Sequence, residues 1–140
     1  MWNLGDVFEI FVRALPGVPW YEFHITPNNH CGDLCWPHDP ETCLRLEKQH
    51  GYRTFITPQP IISSSVRIRA EQQYWQVLAR IPAAMISDKS LIEAGQQWLI
   101  SFCRYDAWRD GRPPVLSSTS PLKEELFNRQ QEWNRIIFVK

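Results

Sequence analysis

The sequence has no long apolar run, no excess of either charge and no recognisable secretory signal peptide. No stretch approaches the ~18 apolar residues of a membrane span. Fifteen basic residues balance fifteen acidic ones, so net charge does not favour attraction to nucleic acid or to an anionic membrane. The first residues lack the basic segment and apolar stretch of a signal peptide. We therefore expect neither nucleic acid nor a membrane as a partner.

Aromatic residues are abundant: the 140 residues include seven Trp, seven Phe and four Tyr. This length is typical of one domain, which we expect to span residues 1–140. Aromatic side chains favour half-buried pleated surfaces. They also offer flat apolar faces on which a sugar ring can stack through its C–H groups. The composition therefore favours a strand-rich protein and is compatible with sugar binding.

Alternating apolar and polar residues predict an antiparallel hairpin near the start of the chain. Its strands are Asp6–Val12 and Trp20–Ile25, joined by a link with two prolines and a glycine. Side chains alternate between the two faces of a strand. One face of the hairpin is therefore predicted to be apolar, with Phe8, Ile10, Val12, Tyr21, Phe23 and Ile25. The opposite face is predicted to hold Glu9, Glu22 and His24.

Further strands are predicted later in the chain by the same alternation and by proline or glycine between the segments. They are Val66–Ala70, Tyr74–Ile81, Trp98–Tyr105 and Trp133–Val139, with short helices at Pro40–Gln49 and Ser120–Gln131. Many short strands and little helix indicate an all-β protein. We expect an antiparallel β-sandwich of the immunoglobulin-like or jelly-roll type, with Trp75, Trp98 and Trp133 in its core.

Six segments form an ordered set of motifs that spans nearly the whole chain, with a poorly matched stretch at about residues 31–65. They are Met1–Val12 (MWNLGDVFEIFV), Trp20–Asn28 (WYEFHITPN), Tyr74–Pro82, Ser101–Asp106 (SFCRYD), Pro114–Pro121 (PVLSSTSP) and Phe127–Trp133 (FNRQQEW). The set resembles the family 9 carbohydrate-binding modules, and more closely the standalone bacterial proteins that are similar to them. The resemblance implies a non-catalytic, lectin-like β-sandwich, often holding calcium, that grips a sugar between two aromatic side chains.

The same resemblance implies which residues of this chain contact the sugar. Trp2 and Phe127 take the positions of the two stacking aromatics. Glu9, His24 and Arg104 take the positions of polar residues that hold the hydroxyls. Phe127 and His24 differ from the family's usual Trp and Arg, and Phe127 is equally compatible with a place in the core. The implied ligand is the end of a glucan or xylan chain, or a small sugar. The alternative is a structural or protein-interaction sandwich that does not bind sugar.

The family domain has several strands before the motif that begins here at Trp2. We therefore expect a domain that is incomplete at its N-terminal side. The apolar face of Phe8, Ile10 and Val12 would then lack part of its opposing sheet, and exposed apolar faces favour oligomerisation. A sugar binder is normally extracellular or periplasmic, which requires an upstream signal sequence. The sequence as given indicates the cytoplasm, so the compartment is left open.

Cysteine and histidine residues between positions 31 and 43 suggest a second kind of site. Cys31, Cys35, His38 and Cys43 are residue types that bind zinc, although their spacing matches no paired-knuckle arrangement. A disulfide from Cys31 to Cys35 or Cys43 is the alternative for an exported protein.

Enzyme activity is a further alternative, and a glycosidase would need two carboxyl groups across a cleft. The sequence indicates neither a deep pocket nor an acid with a raised pKa, so we expect no enzyme activity.

Overall fold

The computed structural model describes residues 5–17, 19–87, 89 and 91–140, which form an antiparallel all-β structure. Its strands among these residues are β1 (Val7–Ala14), β2 (Trp20–Ile25), β3 (Cys31–Trp36), β4 (Ser63–Arg69), β5 (Tyr74–Arg80), β6 (Gln97–Asp106), β7 (Val115–Ser118) and β8 (Asn134–Ile137). The helices are α1 (Pro40–His50) and α2 (Ala83–Ile86), with 3-10 turns at Tyr52–Phe55, Ala70–Gln72 and Gln130–Glu132.

Two antiparallel sheets account for these strands. The larger has the order β3-β2-β1-β6-β7, and β8 pairs with the first half of β6. The smaller is the β4–β5 hairpin. The hairpin packs on one face of the larger sheet, so the predicted all-β, sandwich-like class is confirmed. Within the described residues, no helix is long and apolar enough to cross a membrane.

The predicted hairpin of the first two strands is confirmed, and its register separates the two faces as expected. Glu9 is directly opposite His24 on β2 and Cys103 on β6. Ile10 is opposite Phe23 and belongs to the other face. Opposed residues in an antiparallel pair share a face. The alternation seen in the sequence therefore does place the polar and apolar residues on different sides of the sheet.

The apolar face of the sheet is covered at Ile10 and Val12, although the opposing sheet has only two strands among the described residues. Ile10 and Val12 are only 4% and 2% exposed. Their cover comes from the connection into β4, the β4–β5 hairpin and α2, and its residues are Ile62, Val66, Val77, Ala79 and Ile86. The β4–β5 hairpin and α2 therefore supply the apolar surface that buries these residues.

The opposite face carries a second, largely aromatic core. Trp20 and Trp36 stack with ring centroids 4.9 Å apart, and Trp36 also stacks on Phe55 at 4.2 Å. Phe11 packs against Trp133 at 5.5 Å. Helix α1, the turn after it and the segment before β8 cover this face. Trp98 and Trp133 are buried in the two cores as predicted, whereas Trp75 is only partly buried.

Helix α1 matches its prediction almost residue for residue because its ends are well marked. The Asp39 carboxylate accepts a hydrogen bond from the Thr42 amide at 3.0 Å, which is typical of an N-cap, and Pro40 occupies the first turn. Gly51 ends the helix with a φ of 78°, a conformation that glycine adopts without strain. The helix directs Cys43 into the aromatic core.

The predicted helix at Ser120–Gln131 is wrong. This segment is irregular until the 3-10 turn at Gln130–Glu132. The segment has no apolar stripe to bury, so packing does not stabilise a helix there. Side-chain contacts hold it instead: Arg129 pairs with Glu124 and Glu132, and Trp133 Nε1 donates to the Phe127 carbonyl at 2.7 Å. This irregular segment forms one wall of the candidate site.

Candidate sugar-binding groove

Three ionisable side chains from β1 and β2 meet on the polar face of the sheet. They are Glu9, Glu22 and His24, and their ligand-capable atoms all lie within 4.8 Å of one another. Nε2 of His24 donates to Oε1 of Glu22 at 2.6 Å and lies 3.9 Å from Oε2 of Glu9. The other oxygen of Glu22 accepts from Trp36 Nε1 at 3.2 Å. We refer to these three residues as the triad.

Two members of the triad, Glu9 and His24, are almost inaccessible to solvent, and Glu22 is partly buried. Glu9 is 4% exposed and His24 is 1% exposed. Burial raises the pKa of Glu9 from 4.5 to about 7. The charge of His24 lowers this pKa but is outweighed by burial. Burial alone lowers the pKa of His24, but the hydrogen bond and charge of Glu22 outweigh it, so the pKa is raised. Glu9 is thus a carboxyl group that titrates near neutral pH.

An open groove of about 310 Å³ lies over the triad. Glu9 and Glu22 lie at its base, next to buried Phe11 and Trp36. Helix α1, the turn after it and the segment before β8 form its wall together with β6 and β7. The wall residues are Glu47, Tyr52, Tyr105, Leu116, Glu125, Leu126, Phe127 and Asn128. The groove therefore combines carboxylates with aromatic side chains, which is the mixture that sugar recognition needs.

Phe127 occupies a position between the core and the groove. It is partly buried and packs edge-on against Phe11, with centroids 6.2 Å apart. It also lines the groove beside Asn128. Both interpretations of Phe127 from the sequence, as a core residue and as a sugar-stacking residue, agree with this position. Trp2, the predicted partner of Phe127 in the clamp, lies outside the described residues.

Arg104 does not belong to the groove. It is paired with Phe8 in the register, whereas Glu9 is paired with Cys103. Arg104 therefore points to the opposite face of the sheet from Glu9, and its guanidinium binds Asp106 at 2.6 Å. The assignment was wrong by one residue, and a one-residue slip along a strand reverses the face. Tyr105, its neighbour, lines the groove instead.

The four residues of the cysteine–histidine cluster are not brought together. Cys31 and Cys35 lie four positions apart on β3, which separates their Cα atoms by roughly 13 Å. Cys43 lies across the sheet in the aromatic core, and His38 is exposed. All four cysteines of the chain are free. The structure thus contradicts both the zinc site and the two disulfides considered for this segment.

Among the described residues, the acidic, histidine and cysteine side chains that come close enough together to hold a metal ion are those of the triad. It includes an imidazole, whereas calcium prefers oxygen ligands throughout. Calcium remains a prediction from the resemblance.

Several groove residues were not predicted from the sequence. Trp36 lies on β3, a strand that the weak alternation of CGDLCW did not reveal. Tyr52 and Asn128 lie in irregular segments, where no periodicity indicates a shared surface. Glu22 was placed on the correct face but was not assigned to the site. The pairing of Glu22 with His24, two residues apart on one strand, was the available signal.

Comparison with known proteins gives no match to a family model, to a curated protein or to a solved structure. The resemblance to family 9 modules therefore rests on the motifs quoted above.

Proposed function

We propose that the protein is a non-catalytic carbohydrate-binding domain whose ligand lies in the groove over the triad. The observation that carries the proposal is the composition of this groove. Partly buried Tyr52, Tyr105 and Phe127 provide apolar surface, and Glu9 and Glu22 provide acceptors at its base. Aromatic rings can stack on the C–H face of a pyranose, and carboxylates can accept bonds from adjacent hydroxyls.

The size of the groove fits the end of a glucan or xylan chain or a small sugar. A volume of about 310 Å³ lies at the lower limit of ordinary ligand sites, which suits one or two rings. Because the groove offers few polar contacts and is partly open, we expect a dissociation constant on the order of micromolar or weaker. Asn128, exposed beside Phe127, supplies a further donor and acceptor.

The charge of the groove selects against acidic sugars. Its lining includes Glu9, Glu22, Glu47 and Glu125, and neither Lys nor Arg is found among the described lining residues. A uronic acid would bring its carboxylate toward like charges in a partly desolvated site, which is unfavourable. We expect glucuronate to bind at least about tenfold more weakly than glucose, and Glu125→Gln to reduce this difference.

The proposal is tested by titrating tryptophan fluorescence with cellobiose, xylobiose and glucose, since Trp36 lies at the base of the groove. Wild type should give a saturable change, and Phe127→Ala should weaken binding at least about tenfold. Tyr74→Ala is the matched control because Tyr74 is an exposed aromatic residue on β5, away from the groove. Trp2→Ala tests the remaining member of the predicted clamp.

Two results would overturn the proposal. A flat titration with wild-type protein that melts cooperatively would favour the alternative, a structural or protein-interaction sandwich. Equal loss of binding in Phe127→Ala and Tyr74→Ala would place the sugar elsewhere. Chromatography of xylo- and cello-oligosaccharides after long incubation tests the non-catalytic part, because Glu9 titrates near neutral pH beside a second carboxylate. New shorter products would show that the domain is an enzyme.

A further inference from the structure

The triad has the composition of a metal site as well as of a polar cluster. Two carboxylates and an imidazole are ordinary ligands of zinc and of related first-row divalent ions. The antiparallel register fixes them: Glu9 lies directly opposite His24, and Glu22 lies two residues before His24 on the same face of β2. These positions are set by backbone pairing and do not depend on a loop.

Glu9 is the carboxylate of the triad with the fewest polar contacts among the described residues. Its side chain is 6% exposed, and among the described residues no hydrogen bond to its carboxylate lies within normal distance. The separation of 3.9 Å from His24 Nε2 is too long for a hydrogen bond. A buried carboxylate without such a partner is costly and must be neutralised by a proton or a cation. Glu9 also lines the groove.

The spacing of the ligand atoms suits a small tetrahedral ion. With bonds of about 2.0–2.1 Å, the ligand atoms of tetrahedral zinc lie about 3.3 Å apart. The two distances from His24 Nε2, 2.6 Å to Glu22 and 3.9 Å to Glu9, lie on either side of this value. All three ligand atoms lie within 4.8 Å of one another, so rotation of the two Glu side chains toward a shared ion would bring them to this spacing.

The charges and the surroundings also match. A divalent ion balances two carboxylates beside a neutral imidazole. Trp36 Nε1 already holds the second oxygen of Glu22, the kind of outer contact that orients a metal-bound carboxylate. The groove leaves one side of the triad open, which corresponds to the fourth position that water or a ligand atom occupies in open zinc sites.

We propose that Glu9, Glu22 and His24 bind one divalent transition-metal ion, of which zinc is the best fit, through a carboxylate oxygen of each Glu and Nε2 of His24. The fourth position faces the groove. Binding displaces the proton that His24 shares with Glu22 and any proton on Glu9. This site is separate from the cysteine–histidine cluster, and it does not depend on whether a sugar occupies the groove.

The test uses the full chain, treated with chelator and titrated calorimetrically with zinc chloride alone. We expect one ion per chain with micromolar or tighter affinity and a higher melting temperature when zinc is in excess. Cobalt in place of zinc should give the visible absorption bands of a tetrahedral site. Glu9→Gln and Glu22→Gln keep the side-chain shape and should each weaken binding at least about 100-fold.

Two controls keep the result specific. Glu47→Gln removes a groove carboxylate outside the triad, and Cys31→Ser removes the exposed thiol. Both should bind zinc like wild type. If one triad variant fails to fold, the other decides the question. Absence of zinc binding by folded wild type, or binding that survives both triad variants, overturns the proposal. Loss of zinc binding in Cys31→Ser also overturns the proposal. Because no sugar is present, failure here leaves the sugar titration unaffected.

Discussion

Glu9 on β1 and His24 on β2 are directly opposed in the sheet, with a carboxylate oxygen 3.9 Å from Nε2. Both are buried on a face whose other residues are mostly aromatic. Cross-strand pairing therefore holds an acid and a base together in surroundings of low polarity. Burial raises the pKa of Glu9 while the charge of His24 lowers it, and both proposed ligand sites include Glu9.

The stability of the metal-free protein should fall as pH rises through neutrality. Glu9 has a pKa of about 7 when folded and 4.5 in its ordinary state, so the folded protein binds more protons between these values. The stabilisation that protonated Glu9 provides is fully present below pH 4.5 and is lost above pH 7. The free energy of unfolding should differ by about 3 kcal/mol between these limits. The raised pKa of His24 acts in the same direction.

Urea unfolding of chelator-treated protein at pH 5 and pH 8 measures this effect. Glu9→Gln should flatten the dependence, while Glu71→Gln, an exposed residue in the turn after β4, should not. Glu22 and Cys103 also face Glu9; burial raises the pKa of Cys103, which leaves that thiol neutral in this range. Higher stability at pH 8 than at pH 5 would contradict the prediction.

Asp33 should be essential for the chain segment that leads into β4. It is 5% exposed, and its Oδ2 accepts from the amides of Ile61 and Ile62. Asp33→Ala leaves both amides without an acceptor, and we expect a loss of about 2–4 kcal/mol in the free energy of unfolding. Asp33→Asn keeps one acceptor oxygen and should cost less. Asp110→Ala, at an exposed position, should leave the free energy of unfolding close to that of the wild type.

The four thiols should differ sharply in reactivity. Cys31 is exposed and should react at once with a disulfide reagent in the folded protein. Cys43 and Cys103 are 1% exposed, and burial raises the pKa of each thiol, so they should react only on unfolding. Cys35 is partly buried, and burial also raises its pKa, so its rate should be intermediate. Mass spectrometry after rapid labelling reads out each site, and a Cys31–Cys35 disulfide would contradict the structure.

Self-association remains a prediction, although its structural reason has changed. The apolar face of β1 is covered, but Leu78 on β5 is 75% exposed and Ile68 on β4 is 58% exposed. Among the described residues, these two strands pair only with each other, which leaves their outer edges open. We expect light scattering to show species larger than one chain, reduced by Leu78→Lys. A monomer at all concentrations would exclude the prediction.

Strands with strong periodicity, and one helix, could be predicted from the sequence alone. Alternation placed β1, β2, β5 and β6 nearly correctly, and the helix predicted at Pro40–Gln49 ends one residue before the end of α1. The same alternation put Glu9, Glu22 and His24 on one face of the hairpin. Side-chain direction in a strand is a local property, so a single sequence contains it.

Which segments cover each face of the larger sheet, and which residues form the groove, depends on tertiary packing. Register between distant strands placed Tyr105, not Arg104, beside Glu9. Packing sent Cys43 to the aromatic core, away from Cys31, and folded the irregular segment around Phe127 into a wall. Such choices depend on contacts between residues far apart in the chain, and local periodicity does not contain them. Burial of Glu9, and with it the shifted pKa, likewise appears only when those elements pack together.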